Sequence, residues 1–293
     1  MLKYLRFYED RGLTVVKALG QYVWGSDGRR YLDLHTGHGV AFLGHNNPHV
    51  VRAIKEQLDE VMTLTTSFRS RALDEMLDSL SRVAPRGLDY VALQNSGAEA
   101  VELALKLARR ASGKGGLVTF TGSFHGRTLG ALSVTWNPRY RKPFEPLLEG
   151  VRFGRFNDVG GLDEVFKGEV SAVIVEVVQG EGGVNVASRE FIRGVREAAD
   201  RAGALLIIDE VQTGFGRTGA IWAYQHFGVE PDILVAGKAL GGGFPVSAVF
   251  TSEEIASKLG RGEHGTTYGG NPVACAAVKA CLLYTSPSPR DRG

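Results

Sequence analysis

The chain has 293 residues and 43% hydrophobic content, which is enough for one large domain with a sizeable core and part of another domain. Its 34 basic and 32 acidic residues leave a formal net charge of +2, and no Lys/Arg run is long enough to form a nucleic-acid-binding arm. The sequence has no apolar run of about 18 residues and no signal-peptide core after Met1, which predicts a cytoplasmic protein without a membrane partner.

The N-terminal region contains β-strand and loop signals. Residues 13–35 predict two short strands joined by a turn at 26–28, Ser-Asp-Gly. Residues 35–50 form a Gly- and His-rich loop ahead of a helix from about Pro48 to Val61. We find no acidic partner and no helical i, i+4 pair that would organise the four histidines of this loop, so no metal site is predicted from them: His35, His38, His45 and His49.

The stretch from Asp89 to Arg110 predicts a strand, a short turn and an amphipathic helix. Ser96 and Glu99 have the spacing of a capping box, S-x-x-E. A helix entered through Ser-Gly-Ala presents backbone N–H groups without obstruction by side chains, so it suits a phosphate group at its positive end. The alternative is a simple helix cap, but the position ahead of two further charged strand ends favours phosphate.

Residues 116–135 predict another strand, followed by a loop that carries Phe124, His125 and Arg127. An aromatic side chain at the carboxyl end of a strand can stack on a flat cofactor ring, although Phe124 could equally belong to the core. An arginine beside it can bind a substrate carboxylate through two hydrogen bonds. The loop is therefore a candidate for both cofactor and substrate binding.

A repeated alternation of strands and helices continues after this loop. Val170–Val178 is a buried strand that leads into the flexible loop QGEGG, which carries Glu181, and a helix from about Ser188 to Ala202 follows. Such alternation predicts an α/β protein with a mostly parallel, doubly wound sheet.

The most informative stretch is 205–243, where two buried apolar strands each end in a charged residue. Asp209 follows Leu205–Ile208, and Lys238 follows Ile233–Val235. Open α/β sheets bind ligands at the carboxyl ends of their strands. There Lys238 can form a Schiff base with a pyridine cofactor, and Asp209 can hold the ring nitrogen protonated, as in pyridoxal phosphate (PLP) enzymes.

The charged residues at these strand ends allow two other interpretations. A charged residue at a strand end is often only the beginning of a solvated loop. LLIIDE also resembles a Walker B strand, but the chain has no GxxxxGK[ST] loop to accompany it: Gly237-Lys238 is followed by Ala239, and Gly113-Lys114 by Gly115. An ATPase is therefore disfavoured.

Taken together, the motifs of residues 10–280 resemble the class III (subgroup II) aminotransferases of PLP fold type I. Each motif alone is weakly specific, whereas the ordered set is highly specific. The family's E-P-x-Q-G-E motif has Val177 in place of its proline, a mild departure. The matching motifs are NSGAEA, FHGRT, EVVQGEGG, LLIIDEVQTGFGRTG, AGKALGGG and HGTTYGGNP.

The resemblance implies a role for each matching residue. Lys238 and Asp209 are the catalytic residues, carrying the cofactor and holding its ring nitrogen. The resemblance also implies that the backbone N–H groups of Gly97 and Ala98 bind the cofactor phosphate. Val211 and Phe124 would pack on the two faces of the ring, and Gln212 would contact the ring oxygen. In a homodimer, Thr267 would contact the phosphate bound by the partner subunit. The implied substrate-binding residues are Arg127, Glu181 and Thr266.

Within the family, LHTGHGVAFLGHNNP and LSVTWNPRYRKPFEPL look most like archaeal enzymes of carrier-protein-linked lysine and arginine biosynthesis. The resemblance implies transfer of a terminal amino group between a carrier-linked lysine or ornithine and 2-oxoglutarate. An acidic carrier would favour a basic rim, to which Arg139, Arg141 and Lys142 could contribute, although such a run is often only a solvated face. Acetylornithine, ornithine and 4-aminobutyrate stay open as substrates.

The end of the sequence departs from the family pattern. Residues 281–293, CLLYTSPSPRDRG, look like a non-native tail. The preceding residues are predicted to form two parts: 1–47 is the N-terminal segment of an incomplete small domain, and 48–280 is the PLP-binding large domain. The alternative to an incompletely sequenced aminotransferase is a short, inactive PLP-binding protein. Cys275 and Cys281 lack metal-ligand spacing and predict reduced thiols.

Overall fold

The structure, a computed structural model, describes residues 2–285. Its strands fall into a seven-stranded central sheet, a three-stranded N-terminal sheet and a short two-stranded ribbon. In chain order the strands are β1 Val15–Leu19, β2 Tyr22–Gly25, β3 Arg30–Leu32, β4 Tyr90–Gln94, β5 Leu117–Phe120, β6 Val151–Gly154, β7 Ala172–Val175, β8 Val178–Gln179, β9 Asn185–Val186, β10 Leu205–Glu210, β11 Ile233–Ala236 and β12 Ser247–Thr251.

Helices alternate with the strands of the central sheet, as the sequence predicts. Three single turns of 3-10 helix supplement them, at Lys142–Phe144, Ala223–His226 and Lys238–Gly241. The helical segments are α1 Thr36–Gly39, α2 Pro48–Glu60, α3 Arg71–Ser81, α4 Gly97–Ser112, α5 Leu129–Ser133, α6 Pro138–Arg141, α7 Leu162–Val165, α8 Arg189–Ala202, α9 Glu253–Ala256 and α10 Pro272–Thr285. Of these, α1 is a single turn and not a regular α-helix, because Gly37 and His38 have left-handed φ values of +59° and +61°.

The central sheet has the strand order β4-β12-β11-β10-β7-β5-β6. Six strands run in the same direction, and only β12 runs against both of its neighbours, β11 and β4. The prediction of a mostly parallel, doubly wound sheet is confirmed. The carboxyl ends of the six codirectional strands consequently meet at one edge of the sheet, where ligand sites form in such folds.

Both faces of the sheet are covered, which explains the continuous apolar runs in its strands. Along β10, Leu206 and Ile208 pack into the hydrophobic cluster that contains Phe191 of α8, while Ile207 packs into the cluster that contains Val101 of α4. Side chains alternate across a strand, so only a sheet with helices on both faces buries the consecutive residues Leu206, Ile207 and Ile208.

The N-terminal sheet has one more strand than the sequence analysis predicts. The predicted first strand is divided into β1 and β2 by a two-residue turn, because Leu19 pairs with Tyr22 and Gly20 has a φ of +57°. Glycine adopts this left-handed backbone conformation at little cost, and a tight antiparallel hairpin requires it. The predicted turn at 26–28 does join β2 to β3.

One histidine of the histidine-rich loop, His45, does have an acidic partner, so the prediction that none exists is wrong for this residue. The Nε2 of His45 lies 2.7 Å from Oδ2 of Asp33. The other carboxylate oxygen, Oδ1, accepts hydrogen bonds from the backbone N–H groups of His35 and Thr36. Asp33 therefore fastens the loop beside the N-terminal sheet. Within residues 2–285, no group of three or more His, Cys, Asp or Glu side chains has the arrangement of a metal site.

Helix α10 extends beyond the position where the predicted tail begins. Residues 281–285 continue the helix, and Cys275, Cys281 and Leu282 are buried. The other part of the predicted tail, 286–293, lies outside the described residues. In the described part of the chain, no helix is both long enough and apolar enough to cross a membrane.

Candidate active site

Asp209 and Lys238 are brought together by the pairing of two parallel strands. Asp209 is opposite Val235 in the register of β10 and β11, and Lys238 begins the 3-10 turn just after β11. Lys238 has a φ of +39°, a conformation that non-glycine residues seldom adopt and that typically costs about 1–3 kcal/mol. Both side chains line one cavity of about 260 Å³. Larger cavities, of about 440 and 470 Å³, lie away from these strand ends.

Most of the predicted site residues surround this cavity. Strand β4 leads to Gly97 through the start of α4, β5 to the loop with Phe124, β7 to Glu176, and β10 to Asp209. The predicted residues that line it are Gly97, Ala98, Phe124, Arg127, Glu181, Asp209, Val211, Gln212 and Lys238.

Thr266 and Thr267 are the two predicted residues that do not line it. They border a separate cavity of about 330 Å³, together with Asn95 and Glu99. The hydroxyl of Thr266 accepts a hydrogen bond from the Gly269 backbone N–H at 3.0 Å. Within one subunit the structure therefore does not bring these two threonines to Lys238.

His125, which the sequence analysis mentions without a role, is the direct partner of Asp209. Its Nδ1 lies 2.7 Å from Oδ2 of Asp209, and both side chains are buried. Burial disfavours the charged imidazole, but the hydrogen bond and charge of Asp209, with the charge of Glu176, outweigh burial and raise the pKa of His125. The other oxygen of Asp209 accepts from the Val211 backbone N–H at 3.0 Å, so the carboxylate is held in one orientation.

Glu176 is a second buried acid that the sequence analysis missed. It lines the cavity and accepts a hydrogen bond from the Phe124 backbone N–H at 2.9 Å. Burial, with a smaller contribution from the charge of Asp209, raises the pKa of Glu176 to about 7. Glu176 opens the motif EVVQGEGG and stands directly after the buried strand β7, but neither feature indicates that its side chain is buried beside Asp209.

The environment of Lys238 favours its uncharged amine. Burial lowers the pKa of its ammonium group, although the charges of Asp209 and Glu176 oppose this effect. A lysine with a lowered pKa is unprotonated in a larger fraction of molecules, and only the unprotonated amine can attack a carbon or accept a proton.

The first turn of α4 has the predicted geometry of a helix N-terminus. The Ser96 hydroxyl accepts from the Glu99 backbone N–H, and the Glu99 carboxylate accepts from the Ser96 backbone N–H at 2.8 Å, which completes the capping box. A Cβ atom at Gly97 would lie 2.9 Å from the Val211 side chain. Glycine is therefore required where the start of α4 and the end of β10 meet the cavity.

Gln212 carries a buried polar atom without a partner. Among residues 2–285, its Oε1 belongs to the few buried side-chain atoms that make no hydrogen bond. Gln212 lines the cavity, and leaving a buried polar atom unpaired is costly. A ligand group that donates a hydrogen bond would satisfy this atom.

The model of the family described as Aminotransferase class-III matches residues 7–286. A LysW-aminoadipate semialdehyde/glutamate semialdehyde transaminase of Sulfurisphaera tokodaii is 55% identical over 95% of this chain and 72% of its own length. An acetylornithine aminotransferase of Archaeoglobus fulgidus is 47% identical, over 95% and 74%. The crystal structure of an ornithine aminotransferase from Toxoplasma gondii superposes with a TM-score of 0.91 at 33% identity, covering 96% and 69% of the two chains.

The fold and the lysine–aspartate pair at the sheet edge define a PLP-dependent enzyme. The chain belongs to the class III aminotransferase family, and its cofactor is pyridoxal phosphate.

The residues around the cavity fit this cofactor. The amine of Lys238 and the carboxylate of Asp209 suit its carbonyl carbon and its ring nitrogen, respectively. The unpaired amide oxygen of Gln212 suits a ring hydroxyl, and the glycine-containing start of α4 suits a phosphate dianion.

Proposed function

We propose that the protein transfers a terminal amino group between a lysine or ornithine linked to a carrier protein, or its semialdehyde, and 2-oxoglutarate or glutamate. This reaction would serve lysine and arginine biosynthesis. The carrying observation is a cavity that is lined both by Lys238 and the buried Asp209 and by two exposed charged residues, Arg127 and Glu181. The names of the relatives at 55% identity support the carrier-linked substrate.

The catalytic groups of this chain have two functions, proton transfer and charge stabilisation. The cofactor supplies an electron sink for the substrate carbon that loses its proton. Nζ of Lys238, with its lowered pKa, moves that proton. Asp209 holds a proton on the ring nitrogen, and His125 fixes the orientation of the Asp209 carboxylate through its 2.7 Å hydrogen bond. Burial of Asp209 and His125, together with partial burial of Lys238, limits access of water that would weaken these interactions.

Substrate recognition would take place at the exposed end of the cavity. Arg127 is exposed there and can bind a substrate carboxylate through two charge-assisted hydrogen bonds. A small acidic carrier protein would meet the nearby basic rim, where Arg139 and Lys142 are exposed. Arg141 contributes less to this rim because its guanidinium lies over the Phe153 ring, 4.5 Å from the ring centroid.

We propose a homodimer in which Thr267 contacts the phosphate bound by the partner subunit, and Thr266 the substrate. Both threonines line a separate cavity away from Lys238, which favours contacts with the active site of the partner subunit over contacts with their own. We also propose the domain division given above, with 1–47 in a small domain and 48–280 in the large one. The separate N-terminal sheet supports the first boundary.

A second candidate substrate is acetylornithine, which the name of the relative at 47% identity favours. Both substrates present a terminal amine, so the cofactor end of the cavity cannot separate them. The test is to measure 2-oxoglutarate-dependent turnover of carrier-linked lysine, carrier-linked ornithine and free N-acetylornithine. The proposal requires kcat/KM for a carrier-linked substrate to exceed that for acetylornithine, and the reverse order would replace it with the second candidate.

A further inference from the structure

Tyr140 joins the two residues of the proposed substrate end of the cavity. Its hydroxyl donates a hydrogen bond of 2.6 Å to Oε1 of Glu181, and the guanidinium of Arg127 lies over its ring, 3.4 Å from the centroid. The hydrogen bond to Glu181 raises the pKa of Tyr140, so the hydroxyl stays protonated and keeps donating at neutral pH. One side chain thus contacts both charged groups through different atoms.

Arg127 and Glu181 have opposite charges and line the same cavity, yet they are not paired with each other. None of the ion pairs within residues 2–285 joins them. Instead, the arginine stacks on an aromatic ring, while the carboxylate is bonded to a hydroxyl at the edge of that ring. The arginine can therefore still offer its N–H groups to an incoming carboxylate, because a guanidinium stacked on a ring donates in its own plane.

The backbone holds Tyr140 in this place. It belongs to the short helix α6, which begins at Pro138 after Asn137, whose side chain accepts from the Arg139 backbone N–H at 3.0 Å. The Phe124 ring meets the Tyr140 ring edge-on, with centroids 6.3 Å apart. Tyr140 is thereby connected to the proposed cofactor end of the cavity through an aromatic contact.

We infer that Tyr140 is a positioning residue for substrate carboxylates: its hydroxyl keeps Glu181 away from Arg127, and its ring holds Arg127 ready for the substrate. This inference rests on the proposed function, in which Arg127 binds the carboxylate. Without the hydroxyl, Glu181 is released and competes with the substrate for Arg127. The two roles belong to different atoms, so they can be separated by substitution.

The test measures binding of glutarate, a dicarboxylate probe, to the PLP-loaded protein by isothermal titration calorimetry. Tyr140→Phe keeps the ring and removes the hydroxyl, and it should weaken glutarate binding about tenfold, as expected when a competing charged partner is freed. Adding Glu181→Gln to this variant removes the competing charge and should restore the affinity to within about twofold of the original protein. Tyr140→Leu, which also removes the ring, should not be restored by Glu181→Gln.

The controls separate this inference from the proposed function. Glu181→Gln alone should bind glutarate at least as tightly as the unaltered protein, and all variants should retain equal PLP absorbance. A Tyr140→Phe protein with unchanged affinity, or with a loss that Glu181→Gln does not reverse, overturns the positioning role. If Arg127→Ala leaves glutarate binding unchanged, or the unaltered protein binds no glutarate, the proposed carboxylate site fails together with the inference.

Discussion

The buried carboxyl of Glu176 should make folding stability depend on pH in a direction opposite to that of a salt-bridged acid. Burial raises its pKa from 4.5 to about 7. Between these values the folded protein binds more protons than the unfolded chain, so stability falls as pH rises through this window. A shift of about 2.5 units corresponds to about 3 kcal/mol, because one unit is worth about 1.4 kcal/mol.

Glu176→Gln keeps the size of the side chain and an oxygen that can accept from the Phe124 N–H, but it cannot ionise. Relative to the unaltered protein, the variant should therefore gain about 3 kcal/mol of stability on going from pH 4.5 to pH 8. Urea unfolding at several pH values, at constant cofactor loading, measures this difference. Glu197→Gln, on the exposed side of α8, is the matched control. Parallel stability curves for Glu176→Gln and the unaltered protein would refute the burial argument.

Three further predictions concern the cavity. His125→Phe leaves the buried Asp209 carboxylate without its partner, so unfolding free energy should drop by about 3–5 kcal/mol in denaturant titrations, and a change below about 1 kcal/mol would contradict the pairing. Gly97→Ala places a methyl group 2.9 Å from Val211 and should weaken PLP binding in absorbance titrations. Adding Val211→Ala to this variant should partly restore the binding. If Gly97→Ala does not weaken PLP binding, the contact is not tight. Arg127→Ala should lower kcat/KM for a carboxylate-bearing amine about tenfold or more, and Arg127→Lys should recover only part of this loss. An unchanged kcat/KM in Arg127→Ala would show that Arg127 is a surface residue without a role in substrate binding.

The arrangement of the central sheet could largely be predicted from the sequence. The buried runs that became β10 and β11, and the capping box of α4, are local signals that the tertiary structure did not alter. The reversed direction of β12 could not be predicted, because strand direction depends on which neighbours a strand pairs with rather than on its own residues. The extra hairpin at Gly20 was missed because a lone glycine in an apolar run is also compatible with a continuous strand.

The candidate site was predictable where a residue's position at a strand end carried the signal. Asp209 and Lys238 each follow an apolar strand, so parallel pairing alone places them at one edge of the sheet. The roles of His125 and Glu176 depend on contacts between residues far apart in sequence, 84 positions for His125 and Asp209, and no local pattern reports such contacts. Tyr140 is similar, because its bond to Glu181 spans 41 positions.

The central claim is that Lys238 is the lysine that carries the cofactor, and covalent labelling tests it directly. The PLP-loaded protein is reduced with borohydride, digested, and mapped by mass spectrometry. The account predicts a stable cofactor adduct on Lys238 and its loss in Lys238→Ala. A label on another lysine, such as Lys106 or Lys258, with Lys238 unmodified, would contradict the account.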